Sequence, residues 1–363
     1  MEIGIIGLPR SGKTTIFNAV TKGKAAVAGY SDRPNVGIAK VPDERLDILA
    51  KMYKPRRVVP AEVSYTDIPP PPEGFGKTRG IGGEYLNALQ LVDALLIAVR
   101  GFNNPSVAHI DETIDPFRDA ENMLMEMIFS DLEILERRFT RIADAFKGAK
   151  LPERQMLTNE KNLLQRIKEN LNAGVALREQ QLSSEEWRLI SGFGFLSTKP
   201  LIVTINIGEE QLDQTEALGQ QLAAAVSGDH VQTAVFCAQM EMDLAQMDST
   251  EEQEFRKELG TGESSLSQMI RISYVVVDQI AFFTVGEDEV RAWEIRKGTV
   301  AQKAAGKIHS DLERGFIRAE IISYENLVQC GGLGEGRKRG VLNQEGKDYV
   351  MKDGDIMQVL FNV

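Results

Sequence analysis

The feature that most restricts how this chain can fold lies at residues 7–14, where Gly7-Leu8-Pro9-Arg10-Ser11-Gly12-Lys13-Thr14 satisfies G-x-x-x-x-G-K-[ST]. Its context matters more than its letters. Ile3, Ile5 and Ile6 form a short apolar run that predicts a buried strand, and Thr15 to Thr21 predict a helix with Ile16, Phe17 and Val20 inward. Strand, glycine loop and helix is the order that a phosphate cradle requires. Loop N–H groups converge on phosphate oxygens, and the helix N-terminus adds partial positive charge. Lys13 reaches the β- and γ-phosphates and Thr14 offers a hydroxyl to Mg²⁺. Leu8, Pro9, Arg10, Ser11, Gly12, Lys13, Thr14 and Thr15 are therefore the expected nucleotide contacts.

At 363 residues the chain can build two or three cores. A formal charge of −11 argues against a protein that coats nucleic acid by general attraction. From Arg291 to Lys347, however, 11 Lys and Arg stand against 7 Asp and Glu. That stretch reads as a docking face for RNA or as ordinary solvated charge. Cys237 and Cys330 have no paired spacing, so neither a disulfide framework nor a metal cluster is expected, and a reducing cytoplasm fits. No apolar stretch reaches about 18 residues, so no membrane partner is expected.

Further strands are expected at Ala61–Asp67, 91–99, Leu201–Ile205 and Val231–Phe236. The first alternates apolar and polar residues, which suits an edge; the second is continuously apolar, which suits a sheet centre. An α/β sheet covered by helices follows, with Gly7, Asp67, Asn206 and Cys237 emerging at its ligand edge. Asp67 is a candidate second carboxylate near Mg²⁺, or a turn residue, and Ser31 a third magnesium-facing group, or a turn cap. In Asp67-Ile68-Pro69-Pro70, Pro70 stands where switch loops reading D-x-x-G carry glycine, and it has no N–H to give a γ-phosphate.

Leu124, Ile128, Leu132, Leu135, Phe139, Ile142 and Phe146 recur at helical spacing, followed by Leu163, Ile167 and Leu171. They predict an antiparallel helical hairpin, either a regulatory arm or a structural insertion. Near the end, strands at 291–296, 317–322, 349–350 and 356–361 around a helix from Thr299 to Ile308 predict a β-grasp module, with Trp293 as packing.

The combined pattern resembles the YchF family, also called Obg-like ATPases. It is carried by residues 7–15, Pro-Asn-Val-Gly at 34–37, Asn206-Ile207-Gly208-Glu209, Cys237-Ala238-Gln239-Met240-Glu241 and the tail motifs Arg291-Ala292-Trp293, Ile308-His309-Ser310-Asp311 and Gly346-Lys347-Asp348-Tyr349. The resemblance implies a P-loop NTPase core of the TRAFAC GTPase-like type, an inserted α-helical or coiled-coil arm and a C-terminal ubiquitin-like β-grasp, or TGS, domain. The corresponding boundaries are 1–116 and 197–279 for the core, 117–196 for the arm and 280–363 for the tail.

Base choice turns on Asn206-Ile207-Gly208-Glu209. Guanine-selective relatives commonly read N-K-x-D; here Ile207 replaces the lysine and Glu209 the aspartate. Asn206 carries a donor and an acceptor that match adenine, and Ile207 offers an apolar surface. The pattern favours ATP, with GTP or relaxed purine choice as the alternative. The resemblance implies backbone contacts at Cys237 and Ala238, a water-orienting role for His109, and a ribosome or ribosome-associated RNA–protein partner. His109 reads equally as a surface residue. Arg10, Ser11, Ser31 and Pro70 replace the more familiar Asn, Val, Thr and Gly of that family, and Arg10 either stabilises phosphate charge or faces solvent. The expected activity is Mg²⁺-dependent hydrolysis of ATP to ADP and phosphate; the alternative is a nucleotide-gated binding module that barely hydrolyses.

Overall fold

The computed structural model describes residues 1–23, 34–69, 81, 83–104, 113–258 and 264–362. Two compact units emerge from contacts along the chain: Met1–Gly37 with Ser64–Leu266, and Ile38–Val63 with Ser267–Val363.

The first unit is organised by a six-stranded sheet. In chain order its strands are β1 (Glu2–Ile6), β2 (Asn35–Lys40), β4 (Glu62–Asp67), β5 (Ala94–Arg100), β6 (Leu201–Asn206) and β7 (Val231–Phe236); β3 (Arg57–Val59) belongs to the second sheet. The order is β2-β4-β1-β5-β6-β7, and β1 pairs in parallel with both β4 and β5. β5, wholly buried, lies beside β1 at the sheet centre as its apolar run predicts. Its register with β6 and β7 sets Arg100, Asn206 and Phe236 side by side at the C-terminal edge.

β4 corrects an expectation. Its alternating pattern reads as an edge, yet it lies inside the sheet between β2 and β1. Polar alternation is tolerated there because Thr66 Oγ1 donates to Glu2 Oε1 across the strands at 2.6 Å, so a buried hydroxyl is satisfied. β1 runs through the glycine loop into α1 (Lys13–Thr21).

The insertion is a helical hairpin. α4 (Pro116–Gly148) starts with Pro116 in its first turn and Asp115 as its cap, accepting from the Phe117 and Arg118 N–H groups, which satisfies donors that a helix start leaves open. Only Ala149 and Lys150 separate it from α5 (Leu151–Asn172), so the two run antiparallel. Ile128, Leu135 and Ile142 pack with Leu164, Ile167 and Leu171, and Arg138 forks onto Glu160 at 2.6 and 2.7 Å.

The hairpin is fastened at its root by α4. Asp131 is fully buried and accepts from the N–H groups of Leu196 (2.7 Å) and Ser197 (2.9 Å), in the short helical turn ahead of β6. Beside it, Ser130 Oγ donates to Ile81 O at 3.3 Å, just ahead of α3 (Gly83–Leu91).

In the second unit, β8 (Gln279–Val285) and β9 (Glu289–Arg296) form an antiparallel pair, followed by a helix at Ala301–Ile308 and by β10 (Phe316–Ser323), β11 (Asn343–Glu345) and β12 (Asp355–Phe361). β12 returns between β10 and β8, antiparallel to the first and parallel to the second. That is the β-grasp arrangement. The helix lays Ala301, Ala304 and Ala305 on Phe282, Ile295, Ala319 and Met357; such small side chains let helix and sheet approach closely. Gly354, at φ 86°, makes the expected turn into β12. Residues 349–350 form only a single bridge, Val300 to Val350.

Residues 38–63, although early in the sequence, cluster with this unit, while their two ends also complete strands β2 and β4 of the first sheet. β3 pairs in parallel with β9, and α2 (Glu44–Tyr53) brings Arg45 over the Phe283 ring at 5.2 Å and onto Asp353 at 2.7 Å. Among the described residues no helix is long and apolar enough to cross a membrane.

Asp131 supplies the test of how the hairpin is anchored. Replacing it by alanine leaves two buried N–H groups without their acceptor, at a cost of about 1–3 kcal/mol for each such group. Asp131→Ala should therefore lose at least about 1 kcal/mol of stability, read as a lower urea midpoint with an unchanged slope.

Candidate functional site

The strand ends place the sequence-predicted residues around one edge of the first sheet. Gly7 follows β1 so closely that a Cβ would lie 2.3 Å from Ala98 O, and Gly12 sits at φ 89°, where a Cβ would meet Asn206 Nδ2 at 2.2 Å. Both glycines are thus required by space, and Gly12 also by backbone conformation. Between them Ser11 N donates to Leu8 O at 3.2 Å, closing a turn in which Pro9 holds the second position and Arg10 the third, at φ 67°.

Lys13 opens α1, 8 % exposed, with Nζ 3.3 Å from Ile68 O. Thr14 Oγ1 donates to Asp67 Oδ2 at 2.8 Å. A hydroxyl and a carboxylate in hydrogen-bond contact are a hard oxygen pair, the donor chemistry that Mg²⁺ takes alongside phosphate and water. The residues present fit that ion. Leu8 and Thr15 are buried and Arg10 is exposed. The Ser11 hydroxyl is buried without a hydrogen-bond partner, a cost that the apolar residue of the resembled family would avoid.

Asn206 joins the glycine loop to the helix start that follows β7. Its Nδ2 donates to Ser11 O at 3.2 Å, and its Oδ1 accepts from Ala238 N at 3.1 Å. Each end of the amide has thus met one protein partner, although oxygen and nitrogen each retain capacity for another. Ile207 is 2 % exposed and packs into the core, so the apolar surface expected from it is enclosed. Glu209 begins the short turn Glu209–Gln214 and is exposed. Cys237 is buried; desolvation, chiefly, and then the carboxylates of Glu209 and Glu210 push its thiol pKa up. Ser31, Pro70 and His109 lie outside the described residues.

Sequence reasoning missed Arg100 and Phe102. Phe102 N donates to Asn206 O at 3.1 Å, and its ring edge lies 3.7 Å from where a Gly12 Cβ would stand. The Arg100 guanidinium lies 4.7 Å from that ring's centroid and donates to Phe102 O (3.2 Å) and Asn104 O (3.3 Å). The signal was available: an arginine ends the otherwise apolar run Ala94–Val99 on the ligand edge.

A sheet with β4, β1, β5, β6 and β7 in parallel, whose first strand feeds a G-x-x-x-x-G-K-T loop and whose Asn-bearing strand end is locked onto that loop, defines a P-loop NTPase of the GTPase-like class. Residues 2–130 match the family described as 50S ribosome-binding GTPase, and residues 279–362 match the YchF-GTPase C-terminal model, described as a protein of unknown function (DUF933). The chain belongs to the YchF family. It is 37 % identical to the Ribosome-binding ATPase YchF of Bacillus subtilis (strain 168) over 100 % of both chains, and 37 % to that of Escherichia coli O157:H7 over 100 % of this chain and 99 % of that protein. The solved structure of the Schizosaccharomyces pombe YchF GTPase has a TM-score of 0.85 at 30 % identity, covering 99 % of this chain and 97 % of that one.

Burial pulls the Lys13 ammonium down from 10.5 to about 8, against the opposing field of Asp67. Between those values the unfolded chain holds the extra proton, so this group's contribution to stability rises with pH across that window. A triphosphate held against Lys13 should run the other way, because a polyanion favours the protonated ammonium. Binding should take up a proton above about pH 8 and weaken toward a limit of about tenfold per pH unit. Calorimetry in buffers of different ionisation enthalpy reads the uptake, and Lys13→Arg, charged throughout, should abolish it.

Proposed function

We propose that this chain is a Mg²⁺-dependent ATPase that hydrolyses ATP to ADP and phosphate and works in the cytoplasm in association with ribosomes. The observation that carries the reading is the Asn206 amide, which ties the Lys13 phosphate loop to the Ala238 base loop. Lys13 holds the β- and γ-phosphate oxygens, while the N–H groups of residues 8–15 enclose the phosphates. Thr14 and Asp67 hold Mg²⁺, with Ser31 a further candidate. When bound, that ion neutralises charge on the β- and γ-phosphates. His109 orients the attacking water.

The base sits between the Asn206–Glu209 and Cys237–Ala238 segments, with Phe102 as an apolar wall. Asn206 uses its remaining capacity on the purine. Glu209, one methylene longer than the aspartate of guanine-selective sites, does not reproduce their bidentate geometry, and this favours ATP over GTP. The bacterial relatives are named ribosome-binding ATPases, whereas the fission-yeast structure is described as a GTPase. The C-terminal β-grasp, read as a TGS domain, supplies the ribosome-facing surface, with the hairpin adjusting its geometry. Several cations of the 291–347 stretch are already paired, among them Lys303 with Glu313 and Arg337 with Glu320. Docking therefore relies on those left exposed beyond such pairs.

Side-by-side titrations of the purified chain with ATP and GTP in Mg²⁺ test the base assignment. ATP should bind more tightly; a tenfold preference for GTP, about 1.4 kcal/mol, would overturn it. In single turnover, wild type should release phosphate and Lys13→Ala should not, while keeping its folded circular-dichroism signal. Tight ATP binding with no release, with or without ribosomes, would instead identify a nucleotide-gated module.

Ribosome co-sedimentation over a salt series reads the partner. The full chain should pellet with ribosomes and lose affinity as salt rises. Association that salt leaves unchanged would count against electrostatic docking.

A further inference from the structure

We propose that Arg10 is a charge-stabilising catalytic residue that the phosphate loop supplies to the phosphoryl group it holds. The proposal rests on the ATPase reading above and assigns to one side chain a step that this reading leaves unassigned.

The turn itself is the first ground. Leu8 O accepts from Ser11 N, Pro9 fills the second position, and Arg10 at the third has φ 67°. This is the type II pattern, whose third residue is left-handed and best filled by glycine or asparagine. A residue with a branched-off Cβ pays about 1–2 kcal/mol there, and Arg has no short side-chain amide to recover it locally. The backbone gains nothing from arginine, so the strain points to the side chain.

Charge is the second ground. The turn runs directly into Lys13, buried at the start of α1, and stands near the β5 end, where Arg100 is 2 % exposed. Burial first, then the charge of Arg10, pulls the Arg100 pKa down. The carboxylate that faces Lys13, Asp67, is engaged by Thr14. A polyanion held by this loop therefore meets Arg10 as well as Lys13.

The chemistry is then specific. The oxygen of water bonds to the γ-phosphorus, and the bond from that phosphorus to the β,γ-bridging oxygen breaks. Its electron pair stays on the terminal oxygen of ADP, and the proton of water leaves with inorganic phosphate or to solvent. Negative charge shifts onto the bridging and γ-oxygens as this happens. A guanidinium carried on that loop and brought to these oxygens stabilises the transition state more than bound ATP. Arginine in this role contributes large factors in related phosphoryl transfers.

Full-length wild type, Arg10→Asn and Arg10→Lys are compared by three readouts. These are unfolding without nucleotide, binding of a non-hydrolysable ATP analogue, and single-turnover phosphate release at saturating ATP. Arg10→Asn should raise the nucleotide-free unfolding midpoint, because asparagine suits the left-handed position. It should bind the analogue within a few-fold of wild type yet release phosphate at least tenfold more slowly. Arg10→Lys should retain part of the rate with no gain in stability. A more stable but slower protein is an outcome that a merely structural arginine does not produce. If wild type releases phosphate and Arg10→Asn matches its rate, the role assigned to Arg10 is wrong while the ATPase reading stands. If Arg10→Asn is slower only in proportion to a loss of stability, the role is equally overturned. If wild type itself neither binds nor hydrolyses ATP, both fall.

Discussion

The site depends on a single side-chain amide. Asn206 ends β6, and from there it holds Ser11 O on one side and Ala238 N on the other. Two loops that begin at different strands are thereby fixed relative to each other before any ligand arrives. Its main-chain carbonyl adds to this by accepting from Gly101 and Phe102, which sets the Phe102 ring against the phosphate loop. Preorganisation of this kind lowers the ordering cost of binding, and it requires that β5, β6 and β7 end in register, as they do at Arg100, Asn206 and Phe236. Gly12 completes the fit, since any side chain there would occupy the space of the Asn206 amide.

The electrostatics follow from the same geometry. A loop that presents its N–H groups to phosphate also draws its lysine into a desolvated position, and this is why Lys13 titrates near 8 rather than 10.5. Desolvation weakens the empty protein and strengthens each interaction with an incoming anion. The cost is offset only when the site is filled. Anchoring of the hairpin converges on the same sheet: Asp131 grips residues 196–197 in the short helical turn ahead of β6, and Lys199 reaches Gln90 O and Val92 O ahead of β5. The strand that carries Asn206 is thus held at both ends.

Much of this was legible in the sequence where a local rule and a tertiary demand agree. The glycine loop between an apolar strand and a helix, the continuous run of β5, the hairpin with its helical periodicity and the β-grasp order all read directly. Elsewhere distant partners decided. The alternation in β4 suggested an edge, but Glu2 supplies a hydrogen-bond partner for Thr66, and no local pattern encodes that. Residues 38–63 look like a continuation of the nucleotide core, yet Arg45 finds Phe283 and Asp353, far along the chain. Ile207 is apolar enough to face a base, but neighbouring strands enclose it and leave Phe102 beside the loop.

The sequence by itself determined the P-loop class of this protein, because glycine, lysine and threonine at fixed spacing express backbone requirements within a few residues, and its YchF kinship, because the Asn206–Glu209, Cys237–Glu241 and tail motifs stand together in one chain. It also determined the hairpin, since an apolar period is a local property. Only the tertiary structure decided that Arg10 occupies a left-handed turn, that Asn206 spends its amide joining two loops, and that the arginine at the end of β5 stacks on the Phe102 ring. Each of these depends on where strand ends meet in space. Register across a parallel sheet is set by packing among residues dozens or hundreds of positions apart, and a linear pattern carries no direct record of it.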